Sequence, residues 1–305
     1  MAAHLVSWQA AWDAALYADG GFFRTVRPAD HFRTSAHLWT FARAVAELAR
    51  RTDAATVVDL GAGGGELLAA LRPLLPDVGL VGVEVASRPD GLPDDVAWTS
   101  GLPDRVDGLL IANEWLDNIP CPVVERDAEG SDRVVLVDPS TGEEALGEVH
   151  DSAWMRRWWT LTAPGERAED GSARDAAWAD AVARVDGVAV AIDYGHVLPD
   201  RPPFGTLRSY AGGREVEVRP DGSRDVTAHV AVDAVAAAVD GRLVRQRDAL
   251  AELGVDGRRP PLDQARTDPA GYVRALSGAG EAAELTSRGG LGDFWWIVTD
   301  RRGAA

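Results

Sequence analysis

The chain has 305 residues, of which 46% are hydrophobic, and its formal net charge is −17 at pH 7. This length and apolar content allow one large domain or two small ones, and they exclude a globally disordered chain. The negative charge repels nucleic-acid backbones, so we expect no DNA or RNA partner. No apolar run reaches the ~18 residues of a membrane span and no signal pattern is present, so we expect no membrane partner and a cytoplasmic location.

Two residue types are rare or missing. The single cysteine, Cys121, excludes an intramolecular disulfide framework and fits a reducing compartment. All 31 basic residues are arginine, which excludes lysine Schiff-base chemistry and, together with abundant Ala, Gly and Pro, is typical of high-GC bacterial coding. The six histidines are scattered without ligand spacing, so we predict no metal site.

The first half of the chain predicts an α/β fold. Residues 1–34 form a mixed N-terminal segment with a helical pattern near 8–17, and apolar residues at helical spacing predict an amphipathic helix over about 35–51. Strand and helix patterns then alternate, which is typical of a parallel, doubly wound sheet. These elements are a strand at 55–60, a helix at 65–75, and strands at 79–84, 94–98 and 107–112.

The pattern changes in the second half. Residues 122–138 predict two strands joined by a turn at 127–130. A tryptophan-rich stretch at about 139–186 predicts a helical insertion, in which Trp154 and Trp158 share a helix face and either pack onto the core or form an aromatic substrate wall. The remaining predictions are a buried strand at 188–193, a loop to about 225, helices at 230–240, 247–254 and 268–286, and strands at 242–246 and 294–299.

The most informative local pattern is Asp59-Leu60-Gly61-Ala62-Gly63-Gly64-Gly65, which lies between a predicted strand and a predicted helix. Glycines there let the backbone turn sharply and approach a ligand closely. The next strand ends at Glu84, a carboxylate suited to the two hydroxyls of a ribose. Together they predict a nucleoside-cofactor site at the carboxyl ends of parallel strands.

The glycine spacing narrows the choice of cofactor. The dinucleotide fingerprint G-x-G-x-x-G would need a glycine where Glu66 stands, and a carboxylate at a helix start opposes a pyrophosphate. A P-loop needs a lysine, which the chain lacks. The remaining pattern, D-x-G-x-G-x-G, resembles motif I of class I S-adenosylmethionine (SAM) methyltransferases. We therefore predict SAM as the cofactor and S-adenosylhomocysteine as its product, with a purely structural turn as the alternative.

Two further segments, 112–120 and 193–196, follow predicted strands and should converge on the same sheet edge. Methyl transfer is an in-line displacement, and nitrogen or oxygen nucleophiles need a hydrogen-bond acceptor or base beside them. Asn113, Glu114 and Asp117 lie where such groups are needed. The alternative is a helix start, with Asn113 as its cap and Glu114 in its first turn.

Several segments together resemble one family, the MidA-like SAM-dependent methyltransferases, which includes the mitochondrial protein-arginine methyltransferase of complex I assembly. The similarity runs over nearly the whole chain. Residues 113–120, 193–196 and 225–230 are similar, in this order, to the family's N-E-F-F-D-A-L-P, D-Y-G-[HY] and D-L-T-A-H-V. Residues 59–65 look like its E-x-G-x-G-x-G loop, with Asp59 for Glu.

This resemblance implies a class I, Rossmann-like methyltransferase domain over 35–305, mostly parallel with an antiparallel last strand and with the insertion at about 139–186. Taken alone, His229 is ambiguous, because a lone histidine is more often structural, and Thr227 could cap the next helix. By resemblance, the SAM-binding residues would be Asp59, Gly61, Ala62, Gly63, Glu84, Val85 and Asn113, and the acceptor pocket would be lined by the catalytic candidates Glu114, Asp117, Tyr194 and His229.

One segment departs from the family. Residues 30–37 look like its G-D-F-x-T-[AS]-P-E, but His31 and His37 replace the acidic residues, as in a divergent actinobacterial-type branch. If that acidic pair holds a guanidinium, arginine is not the acceptor here. Two function classes stay open: a methyltransferase acting on a nitrogen or oxygen of a protein or small molecule, and an assembly or binding factor with little or no catalysis. Monomer and homodimer are both compatible with the sequence.

Overall fold

The computed structural model describes residues 4–25 and 34–303. His31 therefore lies outside the described residues, whereas His37 lies within them. The helices are α1 Trp8–Tyr17, α2 Phe22–Thr25, α3 Trp39–Arg51, α4 Glu66–Leu71, α5 Ala153–Trp158, α6 Ser172–Ala183, α7 Val232–Ala238, α8 Gln246–Glu252, α9 Gln264–Thr267 and α10 Pro269–Thr286. Short 3-10 turns lie at Ser35–His37, Leu116–Asn118, Leu198–Asp200 and Leu291–Asp293.

Strands make up most of the remaining regular structure. They are β1 Val6–Ser7, β2 Thr56–Leu60, β3 Gly79–Val83, β4 Val96–Thr99, β5 Val106–Asn113, β6 Val123–Arg126, β7 Asp132–Val137, β8 Glu144–Val149, β9 Arg167–Glu169, β10 Val185–Asp193, β11 Gly195–His196, β12 Arg208–Ala211, β13 Arg214–Val216, β14 Asp225–Thr227, β15 Val230–Ala231, β16 Arg242–Arg245 and β17 Trp295–Asp300.

The central sheet has the strand order β16-β17-β10-β5-β2-β3-β4. Neighbours from β10 to β4 pair in parallel, while β17 runs antiparallel to both β10 and β16. The predicted mostly parallel sheet with an antiparallel last strand is confirmed. The chain leaves β2 toward β3 and β4 and then returns to β5 on the other side of β2. Ligands of open α/β sheets bind at such a change of direction, beyond the carboxyl ends of the strands.

Helices cover this sheet on both faces. Val57, Leu109 and Ile111 pack against α3, α4, α8 and α10. Val58 and Leu110, their neighbours along the strands, pack on the opposite face with α6 and α7. Successive side chains of a strand point to opposite faces, so a strand buried on both sides carries an unbroken apolar run. This explains why the sequence around β2 and β5 was apolar without alternation.

A second, antiparallel sheet has the order β1-β7-β6-β9, with β8 added on β7. Its strands β6 and β7 confirm the hairpin predicted over 122–138. The helix α1, also predicted, packs its buried Trp8, Trp12 and Leu16 into the same cluster as Val135 of this sheet. The helix α1 is thus part of the second core.

The prediction of a helical insertion over about 139–186 is wrong in part. The segment contains α5 and α6, but it also contains β8 and β9 and the start of β10. The strand β8 escapes sequence patterning because Glu144–Val149 is mostly exposed and lacks apolar alternation. A mostly exposed edge strand has no face that must be apolar.

Two smaller differences have local causes. The helix predicted to reach residue 75 ends at Leu71: Arg72 still has helical dihedrals, but Pro73 has no backbone N–H with which to continue the hydrogen-bond ladder. The predicted loop to about residue 225 contains the hairpin β12–β13, which also pairs with β14. Its turn is Gly212-Gly213, both at positive φ (56° and 72°), a hairpin signal that the sequence did contain. No helix within the described residues is long and apolar enough to cross a membrane.

Candidate active site

A cavity of about 1170 Å³ opens where β2, β3, β5 and β10 end. The change in chain direction between β2 and β5 lies at its floor. All predicted site residues line this one cavity: Asp59, Gly61, Ala62, Gly63, Glu84, Val85, Asn113, Glu114, Asp117, Tyr194 and His229. The sequence prediction that these segments converge is therefore confirmed, while the role of each residue stays a prediction.

The glycine loop is held against β3. The backbone N–H groups of Gly61 and Ala62 both donate to the carbonyl oxygen of Val83, at 2.9 and 3.2 Å. Gly61 and Gly63 have φ values of 76° and 55°, a region that residues with a Cβ rarely adopt. A Cβ on Gly61 would come within 2.7 Å of the Trp115 ring. The glycines are therefore needed both for the turn and for close packing.

We expect Gly61→Val to destabilise the protein by about 1–3 kcal/mol, because positive φ and the clash with Trp115 act together. We also expect it to weaken binding of S-adenosylhomocysteine at least ~10-fold, since the loop must shift. Urea unfolding and calorimetry measure the two effects. Gly165→Ala is the control. Gly165 also has a positive φ, 82°, but it has open space around it and does not line the cavity. Equal affinity in both variants would contradict the assigned role of the loop.

Glu84 also holds the glycine loop in place, through its side chain. Its carboxylate accepts hydrogen bonds from the backbone N–H groups of Gly63 (2.9 Å) and Val85 (2.7 Å). Burial raises its pKa above the usual value, and these backbone donors oppose the shift. Beside it, Asp59 is buried, and desolvation, aided by Glu84 and Glu66, raises its pKa to about 7. Both carboxyl groups thus face the cavity floor close to the loop.

Asn113 is the last residue of β5, and Glu114 follows it directly. The Asn113 side chain donates through Nδ2 to Glu114 Oε1 at 3.1 Å, and its own Oδ1 is buried without a partner. Glu114 has a φ of 54°, which marks a strained position for a residue with a side chain. The alternative of a helix start is wrong: a 3-10 turn, Leu116–Asn118, follows, and no helix begins at Asn113.

Burial, with a smaller contribution from the Asp117 carboxylate, raises the pKa of Glu114 to about 8. An unfolded glutamate titrates near 4.5, so the folded state holds an additional proton between these values. The stabilisation is present below that range and is lost as the pH rises through about 8. We expect the unfolding temperature to fall less between about pH 5.5 and 8.5 in Glu114→Gln than in the unaltered protein. Glu148→Gln, at an exposed position of β8, should leave the pH dependence of the unfolding temperature as it is in the unaltered protein. The same pH dependence in all three proteins would contradict the raised pKa of Glu114.

Asp117 is the centre of a buried hydrogen-bond network. Its Oδ2 accepts from the Tyr194 hydroxyl at 2.6 Å and from the Thr227 hydroxyl at 2.7 Å, and its Oδ1 is buried without a partner. Burial raises the pKa of Asp117, and the two hydroxyl donors oppose this shift. A second carboxyl, Asp193, accepts from the backbone N–H groups of Leu116 and Asp117 at 3.0 and 3.1 Å. Asp193 therefore fixes the backbone that presents Asp117.

His229 lines the same wall and is solvent-exposed. Its ring meets the Tyr194 ring edge-to-face, with centroids 5.1 Å apart. Partial desolvation, together with Arg208 and Arg174, lowers the pKa of His229 below its usual value. The imidazole is therefore neutral near pH 7 and able to accept a proton.

Sequence reasoning missed three contributors to this wall. Thr227 belongs to β14 and binds Asp117, so the interpretation as a helix cap is wrong; α7 begins at Val232 without a side-chain cap. Asp225 lines the cavity, and burial followed by the Asp117 charge raises its pKa to about 8. Arg174, on α6, donates to the backbone oxygens of Asp117, Ile119 and His229. Their partners are 55–110 residues away, so no local pattern reveals them.

The tryptophans of the middle segment do not line the cavity among the described residues. Trp154 donates to Asp175 at 2.7 Å, and Trp178 is fully buried in the core. The packing interpretation of Trp154 is therefore favoured over an aromatic substrate wall. Within the described residues, no group of three His, Cys, Asp or Glu side chains is placed to hold a metal ion.

Known proteins resemble the chain in sequence and in fold. Residues 83–247 match the family described as "Putative S-adenosyl-L-methionine-dependent methyltransferase". One similar solved structure, from Burkholderia thailandensis, is described as a COG1565 superfamily member and "likely methyl transferase" bound to S-adenosyl-homocysteine; it is 24% identical, has a TM-score of 0.80, and the match covers 97% of this chain and 88% of that chain. A second, an uncharacterised COG1565 superfamily protein from the same organism, is 24% identical with a TM-score of 0.75, over 97% of this chain and 87% of that chain.

No curated protein matches the chain. The family match nevertheless spans more than half of the residues of this chain, including the cavity-lining segments 113–120 and 225–230. The two structures from Burkholderia thailandensis show that the fold is shared over almost the full length. The MidA-like proteins are the COG1565 family. The chain belongs to the MidA-like family of S-adenosylmethionine-dependent methyltransferases.

Proposed function

We propose that this protein transfers a methyl group from SAM to a nitrogen or oxygen nucleophile of a protein or small-molecule acceptor. One observation carries the proposal: the glycine loop with Glu84 and the carboxyl groups of Glu114 and Asp117 open onto the same cavity. A donor site and an acceptor site must share one space for an in-line displacement. Residues 35–305 would form the methyltransferase domain.

The residues around the loop fit SAM. The loop carries no phosphate-binding lysine, and Glu66 at the start of α4 opposes a pyrophosphate but not a neutral adenosine. Glu84 would take the ribose hydroxyls, and Asp59, Gly61, Ala62, Gly63, Val85 and Asn113 would hold the rest of the molecule. The Oδ1 atom of Asn113 is a buried hydrogen-bond acceptor without a partner, so it could bind a donor group of SAM. The description of the similar Burkholderia thailandensis structure as bound to S-adenosyl-homocysteine supports the same placement.

The strand order also supports this assignment. Counted along the chain, the central sheet reads 3-2-1-4-5-7-6, with helices on both faces. This arrangement supports the Rossmann-like, doubly wound class I fold, with the ligand beyond the carboxyl ends of the first and fourth strands. The loop follows the first of these strands and Asn113 ends the fourth.

The side of the cavity formed by Glu114, Asp117, Tyr194 and His229, here called the acceptor wall, would supply hydrogen-bond acceptors and a base. When bound, SAM supplies an electrophilic methyl carbon on a sulfonium. The acceptor's lone pair forms the new bond to that carbon while the carbon–sulfur bond breaks and its electron pair stays on sulfur. Asp117, oriented by Tyr194 and Thr227, would align the nucleophile through its free Oδ1. The neutral His229 would take the proton that the acceptor loses, and Glu114 would do so in its ionised form, which prevails above its pKa of about 8.

The chemistry of this wall suits an acceptor that donates hydrogen bonds, such as an amine, amide, guanidine or hydroxyl. Arginine side chains belong to that set. His37 also lines the cavity, however, and it adds a donor rather than a carboxylate. Protein and small-molecule acceptors should therefore be tested side by side.

Calorimetry with SAM and S-adenosylhomocysteine is the first test, and we expect both to bind at one site. Transfer is then followed with methyl-labelled SAM and a bacterial lysate, separated into protein and small-molecule fractions. We expect label in one fraction and loss of that label in Glu114→Gln. Absence of binding would overturn the proposal. Binding without transfer to any fraction would instead favour an assembly or binding factor with the same fold.

A further inference from the structure

Three residues lining the cavity carry a buried polar atom without a hydrogen-bond partner: His37, Asn113 and Asp117. Asp117 belongs to the acceptor wall described above. The other two are a ring nitrogen, Nε2 of His37, and an amide oxygen, Oδ1 of Asn113. Leaving such an atom unpaired destabilises the fold, so each points to a group of a ligand.

The hydrogen bonds of His37 decide which of its ring nitrogens carries the proton. Nδ1 accepts from the backbone N–H of Thr34 at 3.1 Å, and a backbone N–H can only donate. Nδ1 must therefore present its lone pair, and in the neutral ring the proton is on Nε2. The unpartnered atom of His37 is thus a hydrogen-bond donor. The unpartnered atom of Asn113 is an acceptor, because its Nδ2 already donates to Glu114.

The turn that carries His37 and the side chain of Asn113 both contact Glu114. A backbone hydrogen bond from Ser35, in the same 3-10 turn as His37, reaches the Glu114 carboxyl, which also accepts from Asn113. The same turn packs against α3 and α4, next to the glycine loop. A donor and an acceptor therefore both line the cavity, on segments that contact Glu114.

The surrounding charge makes this donor unusual. Within residues 4–25 and 34–303, the other ionisable side chains that line this end of the cavity are carboxyls, Asp59, Glu66, Glu84 and Glu114, which offer no positive charge to a ligand carboxylate. Among the described residues, the arginines that line the cavity are Arg184 and Arg245, and both are engaged elsewhere. Arg184 bonds Asp180 and the Leu102 carbonyl, and Arg245 lies over the Trp295 ring and bonds the Asp293 carbonyl.

We infer that His37 and Asn113 form a clamp for the zwitterionic aminoacyl tail of SAM, in which His37 Nε2–H binds the carboxylate and Asn113 Oδ1 binds the ammonium. The clamp rests on the proposed function, since it places SAM in this cavity. It assigns His37 to the methyl donor rather than to the acceptor. It also explains how a cavity lined by so many acidic groups admits a ligand with its own carboxylate.

Calorimetry with three ligands tests the clamp: S-adenosylhomocysteine, its decarboxylated analogue and its deaminated analogue. The unaltered protein should bind S-adenosylhomocysteine about 10-fold or more tightly than either analogue, as expected for a charged hydrogen bond. His37→Ala should lose about 10-fold affinity for S-adenosylhomocysteine and the deaminated analogue, but keep its affinity for the decarboxylated one. Asn113→Ala should show the reverse selectivity. His4→Ala, at an exposed position, is the matched control.

The decarboxylated analogue keeps the test valid if His37→Ala disturbs the turn, because it reports whether the rest of the site is intact. Equal weakening of all three ligands in His37→Ala would overturn the clamp, as would unchanged affinity for all three. Equal affinity of the unaltered protein for all three would overturn it as well, while the proposed function would stand. Absence of binding by every ligand would instead overturn the proposed function itself.

Discussion

Asp117→Asn should lower the rate of methyl transfer at least ~100-fold while leaving the affinity for S-adenosylhomocysteine within about threefold. The substitution keeps the volume but removes the charge and one acceptor from a buried carboxyl that Tyr194 and Thr227 orient. Asp117 lies outside the glycine loop, on the proposed acceptor wall, so transfer and binding of the cofactor should separate. Initial rates with labelled SAM and the labelled fraction from lysate, together with calorimetry, measure both quantities.

Thr227→Val is the matched control for this prediction. It removes one hydroxyl donor to Asp117 but leaves the carboxylate and the Tyr194 hydrogen bond in place. We expect a loss of roughly 3- to 10-fold in rate, the effect of one hydrogen bond. If Asp117→Asn kept more than half of the rate, the acceptor would not be aligned by this carboxyl.

Arg174→Ala should destabilise the protein by about 3–5 kcal/mol. Arg174 is only 2% exposed, and its guanidinium donates to the backbone oxygens of Asp117 (2.8 Å), His229 (2.9 Å) and Ile119 (3.2 Å). It also lies 5.7 Å from the Trp12 ring centroid, which joins the N-terminal helix to the acceptor wall. Its removal leaves a void, takes one hydrogen-bond donor from each of three backbone carbonyls, and removes a positive charge that favours the ionised Asp117 carboxyl. Urea unfolding should show a lower midpoint with an unchanged slope.

Arg105→Ala is the control for Arg174. Arg105 pairs with Asp186 at the surface, where its side chain is 69% exposed, so its loss should change stability by less than about 0.5 kcal/mol. Arg174→Lys should recover only part of the stability, because an ammonium cannot reproduce the guanidinium's planar set of donors. A loss below about 1 kcal/mol in Arg174→Ala would show that the acceptor wall holds together without this residue.

The cofactor half of the site could be predicted because its requirements are local. Gly61 and Gly63 adopt positive φ, and Glu84 ends a buried strand, so short sequence patterns carry the information. The strands β2 and β5 were found for the same reason, since burial on both faces demands an apolar run. Parallel pairing then brings their carboxyl ends to one edge of the sheet.

The acceptor half depends on contacts between distant segments. Thr227 meets Asp117 across 110 residues and Arg174 reaches it across 57, and neither residue type signals such a partner in sequence. The interpretations of Asn113 as a helix cap and of Thr227 as another failed because both residues are at strand ends, where the side chain is used in the cavity. The family resemblance supplied Asp117, Tyr194 and His229; the geometry adds Thr227, Asp225 and Arg174.

The structure of the protein with S-adenosylhomocysteine bound tests the central claim most directly. We predict that the nucleoside lies over Gly61 and Gly63, with the ribose hydroxyls within hydrogen-bond distance of Glu84. The sulfur should face the wall formed by Glu114, Asp117 and Tyr194, with space for an acceptor between them. A ligand bound outside this cavity, or one whose sulfur faces away from these carboxyl groups, would contradict the account.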